Sequence, residues 1–342
     1  MKAWVWEGRD EIRLDAGYPD PAARPGWVVL KVRAAGVCST DVSIIRGRFG
    51  AWKAPGVLGH EICGEVVELG AGARGVKVGD RVVVETSVGC GACAKCRTGN
   101  KHLCREAGEI GFPPFDGGYA EYVAVPDNCC RTLPPAMTDE QGAILEASVC
   151  PFGAIYRNPP PIGATVLVQG VGVAGLSFIQ AAKCFGAKKV IAAGRTPSRL
   201  EDARRFGADV VVNVKERDLE KAVMDETDAL GVDLSIDAAG AAATFANAVK
   251  LCASGGVVNL YGIPQAGTKM ELPVDEVVFR QLTVRGGTNN ELAWTPLMEL
   301  VAQGRFDNAG MVTHRFGFEE LPAAIDAVDR HPDGLIKAVV AC

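Results

Sequence analysis

The chain has 342 residues, of which 48% are hydrophobic and 23% are charged, a balance typical of globular proteins with large apolar cores. This length exceeds the usual size of one domain, so we expect two. The formal net charge of -5 argues against binding to nucleic acids or anionic membranes, because both call for a basic surface. The N-terminus shows no signal-peptide pattern, and no apolar run reaches the roughly 18 residues that span a bilayer, so we expect a cytoplasmic protein.

The first part of the chain is predicted to form antiparallel β structure. Short apolar runs at residues 27–32, 64–69 and 80–84 are separated by glycine, proline and aspartate. Runs of this length with such turns are typical of a barrel or a sandwich.

A potential metal site lies between residues 36 and 61. Cys38 and His60 are residue types that zinc favours, and a catalytic zinc ion typically takes three protein ligands and leaves one position open. Asp41 is placed to orient the imidazole, as metal-bound histidines usually require. A lone cysteine and a lone histidine are more often ordinary buried or surface residues, so this interpretation depends on the motifs downstream.

Four of the twelve cysteines lie in one short segment: Cys90, Cys93, Cys96 and Cys104. Each Cys-x-x-Cys pair can chelate one ion, and a fourth thiolate eight residues on completes a tetrahedron. Because all four positions are then filled, the sequence predicts a structural zinc site that stabilises a polar loop. The alternative is free surface thiols, which at this spacing would be prone to oxidation.

Residues 138–150 are predicted to form a helix with Thr138 or Asp139 as its N-cap. Glu146 lies in the apolar part of this helix. A carboxylate in such a position needs a partner, and a metal ion is one good partner.

From residue 163 onward, strand and helix patterns alternate, which indicates a parallel sheet with crossover helices. A strand at 165–169 leads into a glycine-rich turn and a helix that continues to residue 185. These glycines permit a tight turn, the approach of a pyrophosphate and close helix–strand packing, and the helix N-terminus supplies N–H groups. The motif is weak evidence alone, but between a strand and a helix it is strong evidence for dinucleotide binding. Its cofactor-binding positions are Gly170, Gly172, Val173, Ala174 and Gly175.

The second strand of this region, at 190–193, lacks the acidic residue that binds the ribose 2′-hydroxyl of NAD. The chain instead has Gly194-Arg195-Thr196, with Arg199 just beyond. A guanidinium in place of a carboxylate favours a 2′-phosphate, so we expect NADP rather than NAD. The alternative is that Arg195 stacks on the adenine and NAD still binds.

Further strands complete a doubly wound sheet of six strands. The sequence pattern of the C-terminal segment is again like that of the N-terminal part. The additional strands are predicted at 210–213, 232–237, 256–260 and 282–285. The C-terminal segment has helical patterns at 295–302 and 321–330 and strand patterns at 312–316 and 336–340. We therefore predict an α/β protein with a first domain of residues 1–152 containing a cysteine lobe at 88–105, a dinucleotide-binding domain of residues 153–287, and a return to the first domain over residues 288–342.

Together these motifs resemble the zinc-containing medium-chain dehydrogenase/reductase family, which includes alcohol, sorbitol and threonine dehydrogenases. The resemblance covers essentially the whole chain. It rests on Gly59-His60-Glu61, the four-cysteine lobe, residues 117–123 and the glycine motif, all in the family's order. It implies a Rossmann domain, a GroES-like catalytic domain, two zinc ions per chain and a nicotinamide cofactor.

For the catalytic zinc, the resemblance implies Cys38, His60 and a third ligand after residue 140, which matches Glu146 as in sorbitol-like members. Glu61 is expected to approach the metal and help exchange its water. Thr40 matches the hydroxyl that accepts the substrate proton. Many members carry a histidine five residues after the first zinc cysteine to finish the proton relay; this chain has Ser43, so a hydroxyl or a water would pass the proton.

The resemblance also suggests residues around the substrate and cofactor. Lys337 looks like the C-terminal basic residue that reaches the pyrophosphate. Cys150 matches a small residue beside the nicotinamide, or else replaces Glu146 as a ligand. Phe49, Trp52 and Phe115 are candidate walls of the substrate pocket, although aromatic side chains are more often core residues.

The implied function is hydride transfer between a secondary alcohol or polyol, or the matching ketone or aldehyde, and the nicotinamide cofactor. An NADPH-dependent carbonyl or enone reductase would use the same site. A non-catalytic regulatory relative should have lost the zinc ligands, which this chain retains. We expect a small-molecule substrate and a homodimer or homotetramer, with no nucleic-acid partner.

Overall fold

The computed structural model describes residues 1–50, 52–264, 267–288 and 290–342. The chain divides into two compact units. We call residues 1–147, 294–304 and 308–342 the catalytic unit and residues 148–293 and 305–307 the nucleotide unit, after the domains that the family resemblance implies. The predicted boundaries, after residues 152 and 287, lie a few residues from these.

The β-strands in the described residues fall mainly in two sheets, one in each unit. In chain order they are β1 Ala3–Gly8, β2 Glu11–Asp15, β3 Trp27–Val37, β4 Gly56–Val57, β5 Glu61–Leu69, β6 Arg81–Val84, β7 Ser87–Val88, β8 Gly108–Glu109, β9 Tyr122–Pro126, β10 Cys130–Thr132, β11 Thr165–Gln169, β12 Lys189–Gly194, β13 Val210–Asn213, β14 Val232–Asp237, β15 Cys252–Leu260, β16 Thr283–Gly286, β17 Val312–Gly317 and β18 Lys337–Ala341.

Several of the α-helices in the nucleotide unit cross between parallel strands. In chain order, the α-helices of both units are α1 Ser39–Ile45, α2 Ala94–Arg97, α3 Asp139–Ala143, α4 Leu145–Tyr156, α5 Val173–Cys184, α6 Pro197–Arg205, α7 Leu219–Glu226, α8 Ala242–Lys250, α9 Val274–Phe279, α10 Trp294–Ala302 and α11 Leu321–Arg330. None of the helices in the described part of the chain has the length and apolarity that crossing a bilayer requires.

The main sheet of the catalytic unit has the order β10-β6-β5-β3-β18-β17, with β9 also paired to β3. Its pairings are antiparallel except for β17 with β18. Side chains such as Leu30, Ile62 and Val82 are fully buried in its core. β18 pairs with β3, which joins the C-terminal segment to the first domain. The predicted antiparallel β fold is therefore confirmed.

The sheet of the nucleotide unit has the order β13-β12-β11-β14-β15-β16, and its described strands are all parallel. This is the usual order of a six-stranded dinucleotide-binding sheet, with its crevice where the order reverses between β11 and β14. Val166, Leu167 and Val168 are all fully buried, as expected when helices cover both faces of a parallel sheet. The predicted doubly wound sheet is confirmed.

Two predicted elements differ in detail. The strand predicted at 256–260 starts earlier, at Cys252, because an irregularity in the register opposite Val232 and Leu234 absorbs the intervening residues. The helix predicted over 138–150 is two helices, α3 and α4. Thr138 caps α3 as predicted, through a capping box with Gln141.

Candidate active site

The pairing of β3 with β5 builds a metal centre from residues distant in sequence. Gly36, near the end of β3, lies opposite Glu61 at the start of β5, so Cys38 after one strand meets His60 before the other. The Cys38 sulfur, an imidazole nitrogen of His60 and a carboxylate oxygen of Glu61 all lie within 4.8 Å of one another. We call this group, together with Glu146, the metal centre.

Asp41 orients the His60 ring. Its Oδ1 lies 2.9 Å from His60 Nδ1, while its Oδ2 accepts hydrogen bonds from the Tyr119 hydroxyl at 2.9 Å and the Cys38 amide at 3.3 Å. With Nδ1 held by a carboxylate, Nε2 is left as the metal-binding atom. Asp41 therefore lies beside His60 as expected, whereas the contact of Tyr119 with Asp41 could not be predicted, because the only signal for Tyr119 was its place in the Gly-Gly-Tyr motif.

Glu61 is completely buried and its two oxygens have different surroundings. Oε1 contacts Nζ of Lys337, which is also buried. Oε2 has no hydrogen-bond partner among the described residues. A Cβ on Gly36 would lie 1.9 Å from Oε2, so the carboxylate fits here only because residue 36 is glycine. A buried oxygen of this kind, beside a thiol and an imidazole, suits a bound cation.

The remaining carboxylate of the centre, Glu146, lies with its Oε2 3.9 Å from His60 Nε2. Burial raises the pKa of Glu146 to about 7, and the Glu61 charge contributes to the rise. Burial lowers the pKa of His60, but the charges of Asp41 and Cys38 outweigh it and the pKa lies well above its usual value. A divalent cation would neutralise the negative charges of Asp41, Cys38 and Glu61 that contribute to these pKa shifts, so the residues fit zinc.

The four cysteines of the lobe also come together. The sulfur atoms of Cys90, Cys93, Cys96 and Cys104 lie within 4.8 Å of one another. The backbone N–H of Cys96 lowers the pKa of the Cys93 thiol to about 7, which favours the thiolate that binds metals. A Cβ on Gly89 would lie 2.7 Å from the Cys96 sulfur, so the chain closes tightly around the cluster. The donor set and its spacing fit a four-thiolate zinc site.

An aromatic stack adjoins the metal centre. The Phe112 ring stacks with both His60 and Trp52, with 4.9 Å between ring centroids in both pairs. Phe49 contacts Trp52 at 5.9 Å and is partly exposed. The structure therefore links the predicted wall residues Phe49 and Trp52 to the centre through Phe112, which sequence reasoning missed because it lies in an irregular loop.

Two predicted site residues have other surroundings. Phe115 stacks on Trp27 and packs against the core of the main sheet; its place in the substrate pocket stays a prediction. The side chain of Lys337 projects from β18 to Glu61 inside the catalytic unit; its contact with the pyrophosphate stays a prediction. Thr40 lies in the first turn of α1, and Cys150 lies one turn after Glu146 in α4; both are half-buried.

The glycine motif has the geometry that its residue spacing predicts. Gly170 turns the chain with φ +103°, and Gly172 has open space where a side chain would be. A Cβ on Gly175 would lie 1.9 Å from the Gly170 carbonyl oxygen, so α5 packs directly on the end of β11. These are the three roles of a dinucleotide-binding turn: the turn itself, an open approach for the pyrophosphate, and close packing.

The end of β12 packs against this motif. A Cβ on Gly194 would lie 2.6 Å from Val171. Arg195 is exposed, Thr196 is the N-cap of α6, and Arg199 is half-buried in its first turn. Within the described ranges, neither guanidinium group has an ion-pair partner. Two free cations next to a phosphate-binding turn suit an additional anionic group.

Comparisons with known proteins agree with this geometry. Residues 24–135 match the family described as alcohol dehydrogenase GroES-like domain, and residues 172–303 match the zinc-binding dehydrogenase family. The L-threonine 3-dehydrogenase of Pyrococcus horikoshii is 33% identical over 95% of this chain and 93% of its own length. The sorbitol dehydrogenase of Bacillus subtilis is 29% identical over 99% of this chain and 97% of its own.

Solved structures are similar over nearly the full length. A zinc-binding dehydrogenase from Sinorhizobium meliloti 1021 bound to NADP has a TM-score of 0.91 and 32% identity, covering 100% of this chain and 99% of that one. An alcohol dehydrogenase from E. coli CFT073 complexed with NADH has a TM-score of 0.93 and 28% identity at the same coverage. The chain belongs to the family of zinc-binding alcohol dehydrogenases with a GroES-like domain. Within it, this protein is a nicotinamide-dependent oxidoreductase of alcohols or polyols.

Proposed function

We propose that this enzyme transfers hydride between a secondary alcohol or polyol and NADP, with one zinc ion at the metal centre and a second in the cysteine lobe. The proposal rests on the metal centre, where a thiol, an imidazole and a carboxylate oxygen without a hydrogen-bond partner among the described residues meet. A zinc ion bound there would be a Lewis acid that lowers the pKa of a substrate hydroxyl. Cys38, His60 and Glu146 would hold it, with Glu61 beside them.

The other residues of the centre position groups and move the proton. Asp41 keeps His60 Nε2 directed at the metal position, and Thr40 accepts the proton of the substrate hydroxyl. Ser43 or a water passes this proton onward in place of the histidine that many relatives carry. A bound nicotinamide would supply the hydride chemistry, so the protein contributes orientation and electrostatics rather than redox chemistry.

In the nucleotide unit, the N–H groups at the start of α5 would bind the pyrophosphate. Cys150 and, from the catalytic unit, Lys337 stay candidates for contact with the cofactor. NADP is preferred because β12 ends in glycine instead of an acidic residue, and because Arg195 and Arg199 lack ion-pair partners within the described residues. The cofactors of similar structures include both NADP and NADH. The expected dimer or tetramer and the cytoplasmic location stay predictions from the sequence.

The test combines zinc analysis, cofactor titration and turnover for the wild type, Cys38→Ser and a control, Cys184→Ser. Cys184 is half-buried outside the metal centre and the cysteine lobe and donates to the Arg305 carbonyl oxygen, which a serine can also do. We expect two zinc ions per chain in the wild type and one in Cys38→Ser, which should lose turnover by about 10³-fold or more while still binding NADPH. NADPH should bind more tightly than NADH.

Each result that contradicts the proposal affects a different part of it. Wild-type turnover by Cys38→Ser would exclude the metal centre as the catalytic site. Tighter binding of NADH would overturn the assignment of NADP and leave the dehydrogenase intact. Equal losses in Cys184→Ser would show that thiol replacement damages folding in general.

A further inference from the structure

We propose that the catalytic unit has a second ligand site, separate from the metal centre, that binds a small carboxylate with an aliphatic chain. The site is a cavity of about 460 Å³, and small-molecule pockets usually have volumes of about 300–1,000 Å³. No residue of the metal centre lines this cavity. The inference therefore goes beyond the proposed function and does not depend on it.

The floor of the cavity is a part of the main sheet that carries small side chains. Val339 and Ala341 are two residues apart on β18, so both point to the same face of the sheet. They lie opposite Gly36 and Ala34 of β3. Ala341 is exposed although β18 lies between β3 and β17. An exposed alanine on an inner strand shows that the face is uncovered here, so the floor offers apolar contacts to a ligand.

The face is uncovered because the helix above it is short. α3 has only five residues and packs against β3 and β5. A Cβ on Gly142 would lie 2.8 Å from the Cys63 sulfur on β5, so the helix sits tightly on that part of the sheet. Its first turn, with Asp139 and Glu140, forms one wall of the cavity, and the end of β18 stays open beside it.

Two arginines that line the cavity have hydrogen-bond donors to spare. A guanidinium group has five N–H donors. Arg315 donates through Nε and Nη2 to the two carboxylate oxygens of Glu140, at 2.8 and 2.7 Å, and Arg33 pairs with Glu65 through Nη2. In the part of the chain that the structure describes, neither Nη1 group has an acceptor. The rim of the cavity is therefore rich in donors.

The acidic residues of the rim are already paired, so they do not prevent an anion from binding. Glu140 is held by Arg315, and Asp139 Oδ1 accepts a hydrogen bond from Arg81 Nε at 2.9 Å. Each of these carboxylates has a guanidinium partner that compensates its charge. The groups that remain for a ligand are mainly N–H donors, which suit a ligand rich in acceptors.

A carboxylate with an aliphatic chain fits this combination of rim and floor. Its two oxygens match the planar fork of a guanidinium group, and the hydrogen bonds are charge-assisted. The chain would cover the apolar floor at Ala34, Val339 and Ala341. Inorganic phosphate matches only the rim and a neutral alcohol matches mainly the floor, so both should bind more weakly.

The test measures the binding of hexanoate to the zinc-loaded protein by calorimetry, with hexan-1-ol and hexylamine as matched compounds. We expect a dissociation constant of about 1 mM for hexanoate and about tenfold or weaker binding of the other two. Ala341→Leu should abolish binding, because the larger side chain fills the cavity from an exposed position. Ala302→Leu, at an exposed alanine in α10, is the matched control and should bind hexanoate as the wild type does.

Two variants of one ion pair should have opposite effects. Arg315→Gln removes donors and leaves the charge of Glu140 uncompensated, so hexanoate should bind about three- to tenfold more weakly. Glu140→Gln removes that charge and releases the donors of Arg315, so binding should become about two- to fivefold tighter. The two side chains are 58% and 36% exposed, and a surface pair of this kind contributes little to stability, so both variants should fold.

The metal centre is the other place where a carboxylate could bind, because carboxylates are zinc ligands. It is close to the cavity, since Gly36 lies opposite Val339 in one strand pairing and opposite Glu61 in another. Cys38→Ser should lack this zinc ion and should still bind hexanoate with wild-type affinity. Loss of binding in Cys38→Ser would show that the carboxylate binds the metal, and it would overturn the second site.

Other results would also contradict the inference. Hexanoate that does not bind the wild type at about 10 mM, or that binds Ala341→Leu unchanged, would exclude the cavity as its site. Equal or tighter binding of hexylamine would contradict the preference for a carboxylate. A changed oligomeric state of Ala341→Leu in light scattering would show that another copy of the chain covers this face instead of a small ligand.

Discussion

The cysteine lobe and the metal centre both collect metal-binding side chains, but they are built in opposite ways. The lobe takes its four sulfurs from one short segment, residues 90–104, and offers one kind of ligand. The metal centre takes Cys38, His60, Glu61 and Glu146 from separate parts of the chain. Lys337, which contacts Glu61, lies 276 positions from it in the sequence. The lobe can be complete by itself, whereas the centre exists only when the catalytic unit has folded.

This difference corresponds to the chemistry that each site supports. Four thiolates fill every position of a tetrahedral ion and leave no place for a substrate. The metal centre has mixed ligands, a carboxylate oxygen without a partner in the described chain, and an aromatic stack on one side of its histidine. A closed site stabilises a loop, and an open one can exchange ligands. Three substitutions test this contrast.

The largest effect on stability is expected from Cys104→Ser in the lobe. Serine is a poor zinc ligand, so the lobe should lose its ion and the free energy of unfolding should fall by about 3 kcal/mol or more. Denaturant unfolding and zinc analysis would measure both effects. The catalytic zinc should remain, and Cys184→Ser should keep both ions. Loss of both ions from Cys104→Ser would contradict the independence of the two sites.

Gly36→Ala should damage the metal centre and leave the lobe intact. The new Cβ would lie 1.9 Å from Glu61 Oε2, so the carboxylate must move and the pair with Lys337 is disturbed. Overpacking of this kind costs about 1–3 kcal/mol, and we expect turnover to fall about 100-fold with faster loss of one zinc ion to a chelator. Gly17→Ala is the control, because its nearest neighbour would be an ordinary 3.7 Å away. Unchanged zinc release in Gly36→Ala would show that Glu61 has no influence on the metal.

Tyr119→Phe should have the smallest effect of the three. Burial, together with the charge of Asp41, raises the pKa of Tyr119 well above its usual value, so the hydroxyl stays protonated and donates to Asp41. Removing this donor should weaken the hold on His60 and accelerate zinc release by about three- to tenfold. Tyr18→Phe is a matched control, since Tyr18 donates to Asp116 at the same 2.9 Å distance away from the centre. Equal zinc release from both variants would exclude a special role of Tyr119.

Residues at regular spacing could be predicted from the sequence, and residues brought in by loops could not. The glycine motif, the six strands of the nucleotide unit and the Cys-x-x-Cys pairs all have fixed local patterns, and the structure places them as predicted. Phe112 and Phe115 show the opposite case. Both rings lie in one irregular loop without periodicity, so only the packing of that loop decides which of them faces His60.

The sequence by itself determined the fold class, the dinucleotide-binding turn and the residue types of both metal sites, because these depend on spacing along a short stretch of chain. The tertiary structure decided the partners: Lys337 with Glu61, and Tyr119 with Asp41. Such pairs depend on which strands are neighbours and which side chains share a buried space. Burial and charge then act between groups that the linear sequence keeps far apart.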